Sequence, residues 1–332
     1  MTDQQNPEPM SREWNYHPDL PLANPSIFQW PPSPGFLARW FMRNWLMLSE
    51  RVMMVLLAVA CWLWLYPSLE VTQTLALGWI VQVWLVNMGL MIVSAGGLHS
   101  YFYMRSGQGS LLKFDRRPPA KGNALWDFSD QVHDNMFWSL TSGVAQVTAF
   151  QVLVMLGMAN GWAPVISPLD SPVLFIIGLV LLPIWSAFHF YWAHQLLHMP
   201  FLYKHVHSLH HRNVNIGPWS GFAMHPVEHL IYLSSLLVHF VFPSHEILVF
   251  FHVIYLAPGA AMTHTGYEDL LVKDKRRLAL GTFYHQLHHR YYECNYGNQE
   301  MPWDRWFGTF HNGSAEATQE TRARKKRMYA EQ

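Results

Sequence analysis

Four apolar runs, each close to the length needed to cross a bilayer, constrain this chain more than any other feature. They cover residues 52–69, 75–95, 137–157 and 172–192, and a membrane-spanning helix needs about 20 predominantly apolar residues. Two shorter runs follow, and they predict a hydrophobic hairpin that either spans the bilayer or only enters it. Because lipid offers the backbone no hydrogen-bond partners, we expect these segments to be helical.

The predicted fold is an all-α integral membrane helical bundle of about four transmembrane helices plus the hairpin at residues 230–262, capped by a cytoplasmic, histidine-rich helical metal-site region. Only 13% of the 332 residues are charged, against about 25% in a soluble domain. We divide the chain into a flexible N-terminal arm at 1–35, an N-terminal membrane region at 36–170 with an interfacial helix and three spans, a histidine-rich domain at 171–312, and a basic C-terminal tail at 313–332.

The distribution of basic residues predicts the orientation in the membrane. The loops at 66–74 and 158–171 contain no Lys or Arg, whereas five basic residues lie in the loop after the second span: Arg105, Lys113, Arg116, Arg117 and Lys121. Since cytoplasmic loops carry the excess of Lys and Arg, we expect both termini and the metal site to be cytoplasmic. The membrane is then a bacterial inner membrane or the endoplasmic reticulum. With 22 basic and 22 acidic residues, the chain has no charge excess typical of a nucleic-acid-binding protein.

Eight of the 20 histidines fall into three boxes with helical spacing. The first box is H-x-x-x-H, and the second and third are both H-x-x-H-H; together they comprise His194, His198, His207, His210, His211, His285, His288 and His289. Side chains at i, i+3 and i+4 lie near one face of a helix. We therefore expect each box to present its rings to one point.

This residue type in this number points to a metal centre. Neutral imidazole binds Fe, Zn, Cu and Ni, and eight histidines exceed the four ligands of a single tetrahedral zinc. The boxes therefore suit two metal ions that share a site.

The order of the three boxes, together with their surroundings, resembles the fatty acid hydroxylase / sterol desaturase superfamily. The resemblance extends over about residues 183–310. It is carried by five segments: F-Y-W-A-H-Q-L-L-H ending at His198, K-H-V-H-S-L-H-H ending at His211, H-P-V-E at His225–Glu228, T-H-T-G-Y-E around His264, and W-D-R-W-F-G-T starting at Trp303. It implies that the 171–312 region is a catalytic domain of that type.

The resemblance implies nine metal ligands, namely the eight box histidines and His264. One departure matters, because Ala260 occupies a position where related hydroxylases carry a further histidine. Either another histidine replaces it or one metal has fewer ligands. His225 and His229 are the candidates for replacement, and each is either a ligand or, like Glu228, a hydrogen-bond partner of one.

By the same resemblance the chain is a membrane-bound oxidoreductase with two non-haem Fe ions that uses O2 to hydroxylate or desaturate a sterol, fatty acyl or other lipid taken from the bilayer. Electrons must come from an external donor, a reductase with a b-type cytochrome or a ferredoxin, because no dinucleotide-binding motif is found.

Three alternatives remain open at this stage. A membrane metal transporter or sensor would place polar groups at mid-span, whereas the boxes lie at span ends. A zinc-dependent membrane protease would use the H-x-x-E-H pattern of His225, Glu228 and His229, and it leaves both H-x-x-H-H boxes unexplained. A bis-histidine haem protein would need paired histidines on facing helices.

Overall fold

The computed structural model describes residues 14–23 and 26–330, and these are mostly helical. The α-helices are, in chain order, α1 (Pro34–Phe41), α2 (Glu50–Trp64), α3 (Leu77–Met91), α4 (Gly97–His99), α5 (Gln131–Trp138), α6 (Val144–Ala159), α7 (Pro172–Leu197), α8 (Pro200–Leu202), α9 (Ser208–His211), α10 (Pro226–Leu233), α11 (Glu246–Leu256), α12 (Pro258–Thr263), α13 (Phe283–Tyr291), α14 (Trp303–Trp306) and α15 (Ala315–Ala330).

Shorter helical turns extend several of these helices. The π-helical segments are Met42–Leu46, Ile92–Gly96, Ser100–Met104, Ser139–Gly143 and Tyr203–His207, and the 3₁₀ segments are Val71–Gln73, Pro218–Phe222 and Ser234–Phe240. Local sequence explains many of the helix starts. Ser49 and Asp130 cap α2 and α5 through their side chains, and proline occupies the first turn of α1, α7, α8, α10 and α12, where its missing N–H costs nothing.

Within the described residues, five continuous helices are long and apolar enough to cross a membrane: Pro34–Trp64, Leu77–Met104, Gln131–Ala159, Pro172–Leu197 and Glu246–Thr263. The first four overlap the four predicted spans, with ends that differ by two to five residues at Trp64 and Leu77, so the all-α membrane bundle is confirmed. The fifth is the second limb of the predicted hairpin, and it is largely enclosed by the others. It packs against α2, α6 and α7, and Phe250 and Phe251 are fully buried there.

A small sheet adds to the helical architecture. Strands β1 (Asp269–Val272) and β2 (Lys275–Ala279) pair antiparallel, with Asp269 opposite Ala279 and Val272 opposite Lys275. Lys273 and Asp274 form the connecting turn with positive φ angles of 51° and 57°, as a two-residue hairpin turn requires. The sequence analysis did not predict these strands.

The described part of the N-terminal arm is packed, which corrects the expectation of a flexible segment for these residues. Trp14 is 2% exposed and lies under the Arg290 guanidinium, 4.2 Å from the ring centroid. The backbone N–H of Asn15 donates to Phe114 (2.9 Å), and that of Leu22 donates to Asn312 (2.7 Å). Burial of these apolar side chains against α13 offsets the conformational entropy lost when this segment becomes ordered. Composition does not reveal such contacts, because they join segments that are distant in sequence.

A polar network inside the bundle connects two of the spanning helices. Asn87 on α3 accepts a hydrogen bond from the Tyr66 hydroxyl (2.6 Å) and donates to Thr148 (3.0 Å) and Gln151 (2.9 Å) on α6. All four side chains are buried. If the network were broken, their polar groups would lose hydrogen-bond partners that lipid cannot replace.

We predict that Asn87→Ala destabilises the protein by about 1–3 kcal/mol, because it leaves Tyr66, Thr148 and Gln151 with unpaired polar groups. The midpoint of SDS-induced unfolding of the purified protein measures this. Gln82→Ala on the exposed face of the same helix is the matched control and should shift the midpoint by less than half as much. Equal midpoints for Asn87→Ala and the unmodified protein would show that the network does not stabilise the bundle.

Candidate metal centre

Nine histidines lie in two adjacent clusters, and the nine are those implied by the sequence. Cluster one contains His194, His198, His207, His211 and His288, and cluster two contains His210, His264, His285 and His289; in each cluster the ligand atoms lie within 4.8 Å of one another. The clusters are in contact, because the rings of His210 and His289 lie 5.5 Å and 5.0 Å from those of His207 and His211.

The structure corrects how the boxes are used. His207 and His211, four residues apart, belong to cluster one, whereas His210 belongs to cluster two. In the third box, His285 and His289 share cluster two and His288 belongs to cluster one. Successive helical residues point about 100° apart, so two adjacent histidines cannot reach one ion. Each H-x-x-H-H box therefore contributes to both clusters, and the expectation of one point per box was wrong.

Hydrogen bonds at Nδ1 determine which ring nitrogen faces each cluster. Nδ1 of His194 donates to the Tyr296 carbonyl oxygen (2.7 Å), Nδ1 of His288 to that of Cys294 (2.7 Å), and Nδ1 of His264 to that of Ala260 (2.9 Å). A carbonyl oxygen only accepts, so these Nδ1 atoms carry the hydrogen and Nε2 keeps its lone pair. The fold thereby presents Nε2 to the cluster.

The Nε2 atoms approach each other at a distance that suits a cation, or a shared proton, between them. Nε2 of His194 lies 3.1 Å from Nε2 of His207, and Nε2 of His264 lies 2.9 Å from Nε2 of His285. Adjacent ligands of an ion with metal–nitrogen bonds of about 2.1 Å lie about 3.0 Å apart at an angle of about 90° and about 3.4 Å apart at the tetrahedral angle. The residues present therefore fit one metal ion in each cluster.

Burial keeps these imidazoles neutral, as metal binding requires. It lowers the pKa of His207 and of His264 to about 3 and that of His210 to about 4. It also lowers the pKa values of His211 and His288 well below the ordinary value, with neighbouring imidazoles adding to the effect. Protonation would place a charge in a desolvated site, which is unfavourable. The rings therefore stay neutral near neutral pH, and their lone pairs are available to a metal.

Two buried carboxylates lie behind cluster one. Glu228 Oε1 accepts from Nδ1 of His207 (2.8 Å), and Glu293 Oε2 lies 3.6 Å from Nδ1 of His198 while accepting from the Tyr296 hydroxyl (2.5 Å). Carboxylates in this position orient a ligating imidazole and raise its basicity. Burial raises the pKa of Glu228 to about 8, and bound cations would lower it again.

A tight turn after α13 positions Glu293 and the residues that follow it behind the histidines. Tyr292 has φ 69° and ψ −59°, and the N–H of Glu293 donates to the Tyr291 carbonyl oxygen (2.9 Å), which together define the rare γ-turn of positive φ. The turn brings Glu293, the Cys294 carbonyl and the Tyr296 carbonyl behind the histidines. Sequence analysis missed all three groups; a carboxylate four residues beyond a histidine box is the one available signal, and it is weak.

Asp304 holds the loop that follows this turn. It is fully buried and accepts from the backbone N–H groups of Tyr296 and Gly297 (both 2.8 Å) and from the Tyr284 and Thr309 hydroxyls (both 2.6 Å). The C-terminal W-D-R-W-F-G-T segment thus positions the carbonyl that orients His194.

The remaining candidates lie outside both clusters. His225 caps α10 by accepting from the N–H of Val227 (3.2 Å). His229 is buried between the Ser142 hydroxyl (3.1 Å) and the Phe222 carbonyl oxygen (3.2 Å). Among the described residues no histidine replaces the one absent at Ala260, so cluster two has four members where cluster one has five.

The fold and this site define a helical membrane protein with two histidine clusters that could each hold a metal ion. The model of the Fatty acid hydroxylase family matches residues 179–309, which include all nine cluster histidines. Over these residues the chain is similar to the fatty acid hydroxylase / sterol desaturase superfamily.

Curated relatives agree with this assignment. The Delta(7)-sterol 5(6)-desaturase ERG3B of Gibberella zeae is 33% identical over 138 residues, which cover 40% of this chain and 41% of the relative. The lathosterol oxidase of Rattus norvegicus is 32% identical over 160 residues, covering 47% and 49%. The chain thus spans about half the length of the curated relatives it matches. No solved structure matches it significantly.

We predict that Glu228→Gln weakens metal binding about 10–100-fold, because the neutral amide oxygen is a weaker acceptor for His207 Nδ1–H than a carboxylate and does not raise the basicity of the ring. Metal retained after dialysis against a graded chelator series measures the loss. Glu320→Gln on the exposed face of α15 should retain metal like the unmodified protein. Identical retention curves for all three proteins would rule out a role for Glu228 in metal binding.

Proposed function

We propose that this protein is a membrane-bound di-iron enzyme that uses O2 to hydroxylate or desaturate a lipid. The observation that carries the proposal is the convergence of nine histidines, eight of them buried, into two touching clusters within a domain that matches the fatty acid hydroxylase family. Two relatives are named for oxidations of sterols, so a sterol or a related lipid is the substrate class we favour.

Iron, when bound, supplies the redox chemistry that activates O2 toward an unactivated C–H bond. Hydroxylation consumes R–H, O2, two electrons and two protons and yields R–OH and water. Desaturation consumes the same O2, electrons and protons with a –CH2–CH2– unit and yields –CH=CH– and two waters. Both reactions balance only with an external two-electron supply, so we include a separate reductase with a b-type cytochrome or a ferredoxin.

The two clusters differ in their number of histidines and in their exposure. Cluster one has five nitrogens, two carboxylates behind it and no exposed member, so it is built to hold an ion tightly. Cluster two has four nitrogens and includes His285, which is half-buried. Catalytic metal sites keep an open position for the reacting molecule. We therefore place the approach of O2 and of the lipid C–H bond at cluster two.

We further propose that the termini and the metal site share the cytoplasmic side. The arm is hydrogen-bonded to the basic loop through Asn15 and Phe114, and α15 contacts the turn after α13 through Arg324, which donates to the Glu293 carbonyl (2.8 Å). These contacts put the arm, the Arg105–Lys121 loop, the clusters and the tail at one end of the bundle. The positive-inside rule makes that end cytoplasmic.

The protease alternative is disfavoured by the placement of its residues. A zinc protease of the H-x-x-E-H type needs two histidines that converge on one ion, whereas His225 and His229 have separate hydrogen-bond partners and belong to neither cluster. Glu228 is bonded to His207 and is therefore not free to act as a general base.

We predict that His288→Ala abolishes lipid oxidation, a loss of at least about 100-fold, because it removes a ligand from cluster one. His225→Asn, which keeps a helix-capping side chain, should retain most activity. This result would distinguish an oxygenase from a zinc protease, which would need His225 as a ligand. Product formation from native lipid extract with O2 and a chemical reductant, followed by mass spectrometry, measures both variants. Full activity of His288→Ala together with loss in His225→Asn would refute the proposed function.

A further inference from the structure

Two half-buried tyrosines connect cluster one to the surface of the protein. The ring of Tyr292 lies 5.0 Å from that of His211, and the ring of Tyr203 lies 5.3 Å from that of His198. The two tyrosine rings are 6.2 Å apart. Neither side chain is fully buried, whereas both histidines are. This pair, hereafter the tyrosine pair, is therefore a continuous aromatic contact from solvent to the ligands of cluster one.

The backbone at Tyr292 is held in a strained conformation to make this contact. A positive φ is a genuine outlier for a bulky residue and costs conformational energy. Glycine or asparagine would adopt it more readily, and Tyr292 occupies it nonetheless with φ 69°. A strained residue at a functional site commonly has a role there, and the ring is what tyrosine contributes.

Positive charge surrounds the tyrosine pair. Lys325 Nζ lies 4.2 Å from the Tyr292 ring centroid, and the charge of Arg117 opposes the rise in the pKa of Tyr292 that burial causes. Lys204 is exposed next to Tyr203. The last turns of α15 add the exposed Lys326 and Arg327, and residues 321–330 contain no Asp or Glu.

We propose that this surface is the docking site of an acidic one-electron carrier protein, which delivers electrons to cluster one through the tyrosine pair. The inference rests on the proposed function, because only a reaction that consumes electrons needs such a site. Each encounter oxidises the carrier by one electron, and two encounters supply the two electrons of one turnover. The basic rim attracts the acidic partner, and the rings shorten the gap that the electron crosses.

The division between the clusters fits this assignment. The tyrosine pair touches members of cluster one only, whereas the half-buried His285 belongs to cluster two. Electrons and lipid thus approach from different sides, and a docked carrier does not block the substrate.

The test uses the iron-loaded full chain in lipid nanodiscs with a reduced, acidic b-type cytochrome haem domain as the probe. In Lys326→Glu/Arg327→Glu we expect the KM for the cytochrome to rise about tenfold at low ionic strength, with kcat at saturating cytochrome unchanged, since exposed charges govern encounter. The difference should shrink in high salt. Lys275→Glu/Arg277→Glu, which reverses two exposed charges on β2, is the matched control and should leave KM unchanged.

Tyr292 itself is tested by its two replacements. Tyr292→Asn tolerates positive φ but removes the ring, and it should slow cytochrome oxidation at saturation at least about tenfold while iron content stays at the unmodified level. Tyr292→Phe keeps the ring and should restore the rate. Equal rates for the asparagine and phenylalanine variants would overturn the role of the ring.

Dithionite as the reductant separates the two proposals. If dithionite supports lipid oxidation but the charge-reversed α15 variant keeps its KM for the cytochrome, the docking site is wrong and the oxygenase stands. If dithionite supports no product in the unmodified protein, the proposed function itself fails. If the variant loses dithionite-driven turnover in anionic nanodiscs but not in neutral ones, with KM for the cytochrome unchanged, the basic tail binds lipid headgroups and the docking proposal is overturned.

Discussion

The rest of the structure depends on a set of converging lone pairs that repel one another. Nine imidazoles, eight of them buried, direct ring nitrogens into two small volumes, with nitrogen atoms as close as 2.9 Å. In a desolvated site such pairs are destabilising unless a cation or a shared proton lies between them. The membrane helices, the turn after α13 and the loop fixed by Asp304 hold these rings in place. Metal ions bound in the two clusters would therefore stabilise the fold as well as supply its chemistry.

Much of this arrangement could be predicted because it is local in sequence. The four long apolar runs became spanning helices, since their length and composition leave lipid-buried helix as the one stable state. The nine histidines that the sequence implied as ligands are the nine that cluster, although their binding of iron is still to be tested. The spacing of each box is a helical property, and α7, α9 and α13 preserve it.

One expectation failed on local helical geometry, and two features that the sequence did not reveal depend on contacts between distant segments. The boxes split between the two clusters because His210 and His211, like His288 and His289, point about 100° apart on their helices; this could have been foreseen from helical geometry. The contacts of Glu293, Cys294 and Tyr296 could not, because they require a γ-turn at a tyrosine, which propensity disfavours. The packed arm is a tertiary effect of Trp14 and Leu22, and composition alone suggested a free segment.

The most direct test of the two-ion centre is an anomalous difference map at the iron absorption edge from crystals of the iron-loaded protein. The account predicts two peaks, one within the Nε2 atoms of His194, His207 and His288 and the other within those of His264, His285 and His289. A single peak between the clusters, or density beside His225 and His229 with none in the clusters, would contradict it.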